Sequence, residues 1–284
     1  MININRREFL ASAFAASVCS QVGFTQQEKL RIGVVDWKLN LVANPEAVTL
    51  AAKLGFDGIQ INFGYGLVDG RMPADDPAVI ARYLSLSKLC KIPIDGTSAG
   101  RLNVNGLKSD PLGSKWVLDS IRLTKDLNVN VLLLPFFGRS AIQTNEEKDH
   151  VGDVLRDLAP EAEKAGVILG LEDTLSAEDN VRIMERSRSA NVRVYYDTGN
   201  SAVAGFDPVK EIRWLGKDRI CQFHFKDDPH YLGQGNIQFA SVVRAIQDIR
   251  YSGYANLETN APSGQVAADM SENLAFIRKI VAQS

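Results

Sequence analysis

From residue 30 onward the chain alternates short apolar runs with longer segments whose apolar residues recur at helical spacing. The short runs predict strands at 30–36 (LRIGVVD), 58–63 (GIQINF), 92–97 (IPIDGT), 130–137 (NVLLLPFF), 167–172, 192–197, 220–226 and 255–259. Several are continuously apolar rather than strictly alternating, as expected of strands covered by helices on one face and packed inside on the other. The helical segments have readable starts. Asn44-Pro45-Glu46, Asp76-Pro77 and Asp207-Pro208 each place a capping oxygen ahead of a proline at the first helical position, where a missing N–H costs nothing. The segment 45–54 stops at Gly55 and the segment 146–165 at Gly166, since glycine takes the left-handed turn that ends a helix. A last helix is predicted at 267–282. This rhythm predicts an α/β fold, a single-domain (β/α)8 TIM barrel over residues 28–284. The competing open, doubly wound sheet lacks support: no glycine-rich dinucleotide turn follows the first strand, and the rhythm never changes.

Composition adds mainly exclusions. The 284 residues are 45% hydrophobic, enough for one large core, and carry a formal net charge of −2. No basic stripe interrupts the sequence, so a nucleic-acid partner is not expected. No apolar run reaches the roughly 18–20 residues that span a bilayer. Residues 1–25 differ in kind: Asn5-Arg6-Arg7-Glu8-Phe9-Leu10 precedes LASAFAASV, the order of a positive head, short apolar stretch and small-residue cleavage zone. The paired arginines resemble a twin-arginine export signal. The expectation is a periplasmic or otherwise extracytoplasmic protein, cleaved near Ser20 and not inserted in the membrane afterwards. Beyond the leader only Cys90 and Cys221 remain, both in apolar surroundings, and two buried free thiols are expected rather than a disulfide.

The chemistry concentrates at the ends of the last four predicted strands. Glu172 ends ILGLE, Asp197 ends VRVYYD, His224 lies in ICQFHF and Glu258 follows ANL, at spacings of 25, 27 and 34 residues. A parallel barrel brings successive strand ends to one rim, so these four residues are expected to converge. Singly, each has an ordinary role: a helix cap, a turn or a core histidine. Together, three crowded carboxylates repel one another unless a cation or proton intervenes, and one divalent ion accounts for the whole set. Three carboxylates and an imidazole suit Mn²⁺ best, with Mg²⁺, Co²⁺ and Zn²⁺ as alternatives.

The runs GLED, YYDTGN, FHFKD followed by GQG, and NLE resemble those of the xylose-isomerase-like superfamily of sugar isomerases and epimerases, in particular its single-metal sugar-3-epimerase branch. The resemblance implies that Glu172, Asp197, His224 and Glu258 hold one metal ion and that Glu172 and Glu258 form the acid/base pair. That pairing makes physical sense: proton removal beside a carbonyl yields an enediolate, and two bases on opposite faces would epimerise the carbon. One base working on a single face would isomerise instead. The chain departs from the branch at two places. Asn200 stands where a histidine is usual, and His230 is the nearest polar residue to the place of a sugar-contacting arginine. Both remain candidate substrate contacts, but the departures weaken the expectation of a free ketose.

Further candidates are Lys226, two residues after His224 and therefore on the same strand face, Trp37 after the first strand and Asn62 at the end of the second. Lys226 reads equally as a group steadying an enolate or as one arm of a salt bridge. Phe136 and Phe137 are expected in the core, and Gly233-Gln234-Gly235 to shape a loop. With only His150, His224 and His230, the chain lacks the histidines of a trinuclear zinc nuclease. The expected function is therefore a metal-dependent isomerase or epimerase of a small-molecule carbohydrate or derivative. Export favours oxidised sugars or keto-glycosides over sugar phosphates. β-Elimination by a lyase and a non-catalytic, metal-containing carbohydrate-binding barrel stand as alternatives, and a homo-oligomer is left open.

Overall fold

A computed structural model describes residues 30–283. The expected export leader lies outside the described residues. Eight parallel strands form a closed barrel in sequence order: β1 (Arg31–Val35), β2 (Gly58–Asn62), β3 (Ile94–Ser98), β4 (Val131–Pro135), β5 (Ile168–Glu172), β6 (Val192–Asp197), β7 (Ile220–Phe225) and β8 (Tyr254–Leu257). Closure is made by β1 and β8, with Arg31 in register with Tyr254 and Val34 with Leu257. The expected TIM barrel is therefore the fold.

The helices begin and end for the reasons legible in the chain. Before α1 (Glu46–Leu54), Asn44 Oδ1 accepts from Glu46 N at 3.0 Å. Asp76 caps α2 (Pro77–Cys90) by accepting from Ala78 N at 2.7 Å. Gly55 closes α1 at φ 87°, and Gly166 closes α4 (Asn145–Ala165) at φ 71°, a backbone region that a side chain strains. Helix α4 also opens with a reciprocal capping box between Thr144 and Glu147, which the sequence reading did not pick out. α3 (Leu112–Asp126), α5 (Ala177–Ser187), α8 (Phe239–Asp248) and α9 (Val266–Gln283) complete the expected ring.

The ring departs from expectation after β6, where two helices stand in place of one: α6 (Thr198–Val203) and α7 (Pro208–Leu215). The extra turn forms because Asp197 caps it, its Oδ1 accepting from Asn200 N at 2.7 Å. Asp207 then starts α7 as expected, accepting from Val209 N at 3.0 Å. Cys90 and Cys221 are free thiols, as expected, but both are half-buried rather than fully enclosed. Burial nevertheless pushes the Cys221 thiol up to about 12.

Between strands and helices the core is apolar, and Phe136 belongs to it. The barrel interior is different. Gln60, Asp95, Tyr195, Gln222 and Asn256 are all buried and polar. Gly33 and Gly58 make room for them, since a Cβ at either position would overlap the Asp95 carboxylate. The rim residues rest on this polar layer.

Candidate metal centre

Each of the four converging residues is delivered by its own strand: Glu172 and Asp197 are the last residues of β5 and β6, His224 is next to last in β7, and Glu258 follows β8. One ligand atom from each lies within 4.8 Å of all the others. His224 Nδ1 faces the carboxylates, 2.9 Å from Glu172 Oε1, 3.6 Å from Glu258 Oε2 and 3.8 Å from Asp197 Oδ2. The expected convergence is thus present.

The Asp-Thr-Gly-Asn turn after β6 organises this cluster residue by residue. Asp197 spends Oδ1 on the α6 cap and directs Oδ2 toward His224. Thr198 Oγ1 donates to His224 O at 3.3 Å and ties β6 to β7. Gly199 is required because a Cβ there would press against the Lys226 side chain and backbone. Asn200 sits between two site residues, accepting from Lys226 Nζ at 3.2 Å and directing Nδ2 to Glu172 Oε1 at 3.5 Å.

Lys226 does reach the centre. Its Nζ lies 2.5 Å from Glu258 Oε2 and 3.2 Å from Asp197 Oδ2, an ion pair with each. Burial opposes its charge, yet Asp197, Glu258 and Glu172 hold the ammonium protonated far above its ordinary range. Reciprocally, Lys226 and His224 overcome burial at Glu258 and pull its carboxyl below the ordinary range. At Asp197 burial prevails over Lys226 and pushes the carboxyl up.

Trp37 borders the cluster and orients one of its carboxylates. Its Nε1–H donates to Glu258 Oε1 at 2.7 Å, which turns Oε2 toward the cluster. Its ring meets the His224 ring edge-on at 5.7 Å, while Tyr195 packs against that imidazole at 4.5 Å. Asn62 is buried and bound into its own loop, Oδ1 accepting from Gly64 N at 2.8 Å. His230 lies exposed on the loop after β7, held through its backbone N–H to Asp227 O. The Gly-Gln-Gly run shapes that loop as expected: Gly233 N and Gly235 N donate to Asp227 Oδ2 at 2.9 and 3.0 Å.

The residues that sequence reasoning missed lie directly beneath the cluster. Tyr195, Gln222 and Asn256 stand two positions before Asp197, His224 and Glu258, and Gln60 two before Asn62. A strand returns to the same face every two residues, so this spacing was the available signal. Gln60 Oε1 accepts from Tyr195 Oη at 3.0 Å and lies 2.7 Å from His224 Nε2.

The arrangement fits a divalent cation. Asp197 Oδ2 and Glu258 Oε2 are buried and face the same point, with Lys226 Nζ and His224 Nδ1 within 3.8 Å of each. Carboxylates crowded in this way need positive charge beside them. With His224 Nδ1 and Glu172 they form a hard-to-borderline donor set without sulfur, which fits Mn²⁺, Mg²⁺, Co²⁺ or a catalytic Zn²⁺.

The comparisons agree with this fold. Residues 48–280 match the model of the xylose isomerase-like TIM barrel. A 2-epi-5-epi-valiolone 7-phosphate 2-epimerase of Actinoplanes sp. is 30% identical over 204 residues, covering 70% of this chain and 73% of the relative. The structure of an L-ribulose 3-epimerase superposes with a TM-score of 0.74 at 19% identity, over 89% of this chain and 95% of that one. A 3-keto-D-glucoside 4-epimerase from E. coli does so with a TM-score of 0.71 at 17% identity, over 88% and 100%. At such identities the two superpositions speak for the fold alone. The family model, spanning most of the barrel, and the Actinoplanes relative carry the assignment: the chain belongs to the xylose isomerase-like TIM barrel family.

Proposed function

We propose that the chain is a divalent-metal-dependent isomerase or epimerase acting on a sugar or sugar derivative. Glu172, Asp197, His224 and Glu258 would hold one ion, with manganese the preferred metal. The observation that carries the reading is the convergence of three carboxylates and one imidazole, with one ligand atom of each within 4.8 Å of all the others. A divalent ion at this place supplies positive charge against the oxyanion that develops when a proton leaves carbon beside a carbonyl.

The chain's own residues do the rest. Glu172 and Glu258 stand on β5 and at the end of β8, with β6 and β7 between them. This separation supports removal of a proton from one face of a substrate carbon and its return to the other, which is epimerisation. Trp37 orients Glu258 by binding its Oε1. Lys226, already in contact with Glu258, keeps that carboxylate ionised. Asn200, between Lys226 and Glu172, is the best placed of the proposed substrate contacts, and its amide can bind a sugar hydroxyl. His230, Asn62 and the ring of Trp37 complete the proposed contact set, His230 from the exposed loop after β7.

Paired arginines at the amino terminus support export, and with it an oxidised sugar or keto-glycoside rather than a phosphorylated substrate. The name of the Actinoplanes relative points the other way, to a 7-phosphate, so both classes belong in the test. Metal content of the purified protein is measured first. The protein is then incubated in D₂O with ketoses, keto-glycosides and sugar phosphates. Metal-dependent deuterium incorporation at one carbon is expected. A full metal complement with no exchange on any of these substrates would overturn the reading and favour a binding barrel.

A further inference from the structure

A buried string of side chains beneath the cluster determines how His224 presents itself. Gln60, wholly buried on β2, donates from Nε2 to Thr97 O at 3.2 Å. A backbone carbonyl accepts only, so the amide is fixed with its NH₂ on that side. Its Oε1 therefore faces inward, where Tyr195 Oη donates to it at 3.0 Å and His224 Nε2 lies at 2.7 Å. The string continues away from the rim. Asn256 Nδ2 donates to Tyr195 Oη at 3.2 Å and to Asp95 Oδ1 at 2.8 Å, and Gln222 Nε2 donates to the same Oδ1 at 2.8 Å. Thr97 O at one end can only accept, and at the other Asp95 Oδ1 accepts from both amides. Because Asn256 donates to the tyrosine oxygen, the tyrosine proton points to Gln60. Gln60 Oε1 is then an acceptor whose remaining partner must bring a hydrogen, and that partner is His224 Nε2.

We propose that Gln60 is a positioning residue that keeps His224 Nε2 protonated in every state of the protein, confining exchange of a proton or cation at this imidazole to Nδ1. Nδ1 is the nitrogen that faces Glu172, Glu258 and Asp197. Packing of Tyr195 and Trp37 on the ring opposes a flip that would exchange the two nitrogens. Outer-shell acceptors of this kind fix the tautomer of a metal-ligating histidine and raise its basicity. The inference rests on the proposed function only in naming a cation as the eventual occupant of Nδ1.

The test is long-range ¹H–¹⁵N spectroscopy of the histidine rings, on metal-free and zinc-loaded protein, with zinc affinity measured calorimetrically. In the unmodified chain His224 is expected to show a proton on Nε2 in both forms. Gln60→Leu removes the acceptor and is expected to lower zinc affinity about 10- to 100-fold, with mixed Nε2 protonation. Gln60→Glu, which keeps an oxygen toward the ring, is expected to retain the Nε2 proton and most of the affinity. An unprotonated Nε2 in the unmodified protein would overturn the proposal. So would unchanged zinc affinity in folded Gln60→Leu protein, or equal losses in both variants. If Gln60→Leu does not fold, the unmodified spectra decide. Failure to take up zinc would count against the metal reading, and the metal-free spectrum would still decide the role of Gln60.

Discussion

The two halves of the barrel rim are built from the same repeating unit and end in different chemistry. Strands β5 to β8 deliver Glu172, Asp197, His224 and Glu258 to one point. On the other side, β1 is followed by Asp36 and β2 ends in Asn62, and one oxygen of each serves nearby backbone. Asp36 Oδ2 accepts from Asn62 N at 3.0 Å and from Ala43 N at 3.2 Å, and Asn62 Oδ1 accepts from Gly64 N. Both halves bury carboxyl groups, but only one gathers counter-charge around them. Burial alone pushes Asp36 well above the ordinary range, although backbone N–H groups oppose it. Glu258, less enclosed, is pulled down against its burial by Lys226 and His224. A strand-end acid is therefore a candidate for ion chemistry when cations converge on it, and a loop anchor when backbone amides do.

Removal of the acid/base pair is expected to have the largest effect. Glu258→Gln or Glu172→Gln is expected to slow deuterium exchange into substrate by about 10² to 10⁴-fold. Exchange at the unmodified rate in both variants would remove the rim carboxylates from the chemistry.

A second test addresses Asp95, the buried acid below the rim, which burial pushes to about 7 although Asn256 and Gln222 oppose the shift. A carboxyl raised in the folded state contributes stability in full below its unfolded pKa, and the contribution is lost as pH climbs through the folded value. Stability owed to this group should thus decline between about pH 4 and about pH 7. Asp95→Asn keeps an oxygen for both amides and should flatten the decline, by up to a few kcal/mol at alkaline pH. Urea midpoints of both proteins, measured at acidic and alkaline pH, provide the comparison. Parallel profiles would show that Asp95 does not titrate across that range.

Asp36→Ala probes the loop-building half. Leaving the N–H groups of Asn62 and Ala43 without their acceptor is expected to cost about 1–3 kcal/mol in urea unfolding, with metal stoichiometry unchanged. Loss of metal in that variant would erase the distinction between the halves. The smallest effect is expected at Lys226. Lys226→Met removes a cation that competes for Glu258 Oε2 and Asp197 Oδ2, and divalent-ion affinity should rise about tenfold in calorimetric titration. A fall in affinity would instead make the lysine part of the ion's support.

Much of the architecture was legible because barrel units repeat local rules. The strand expected at 192–197 is observed at Val192–Asp197, and the helix expected to stop at Gly166 does so. The quartet was legible for a related reason: one ionisable residue at each of four successive strand ends needs only barrel closure to meet. The partners within the site were not. Trp37 reaches Glu258 across 221 residues of sequence, and Gln60 reaches His224 across 164. Nothing local to β1 or β2 specifies such pairings. The extra helix α6 was missed because its cap, Asp197, read as a rim residue, and one carboxylate turned out to serve both roles with different oxygens.

By itself the sequence determined the strand–helix rhythm, the helix stops, and the four acid and imidazole side chains that closure brings to one rim. Those properties follow from backbone geometry and from the two-residue and unit-length periods of the chain. The tertiary structure alone decided which oxygen of each carboxylate faces its neighbours, that Lys226 pairs with Glu258, and that amides from opposite sides of the barrel meet under His224. Hydrogen bonds and ion pairs depend on distances of a few ångströms between strands remote in sequence, and the closed barrel is what sets those distances.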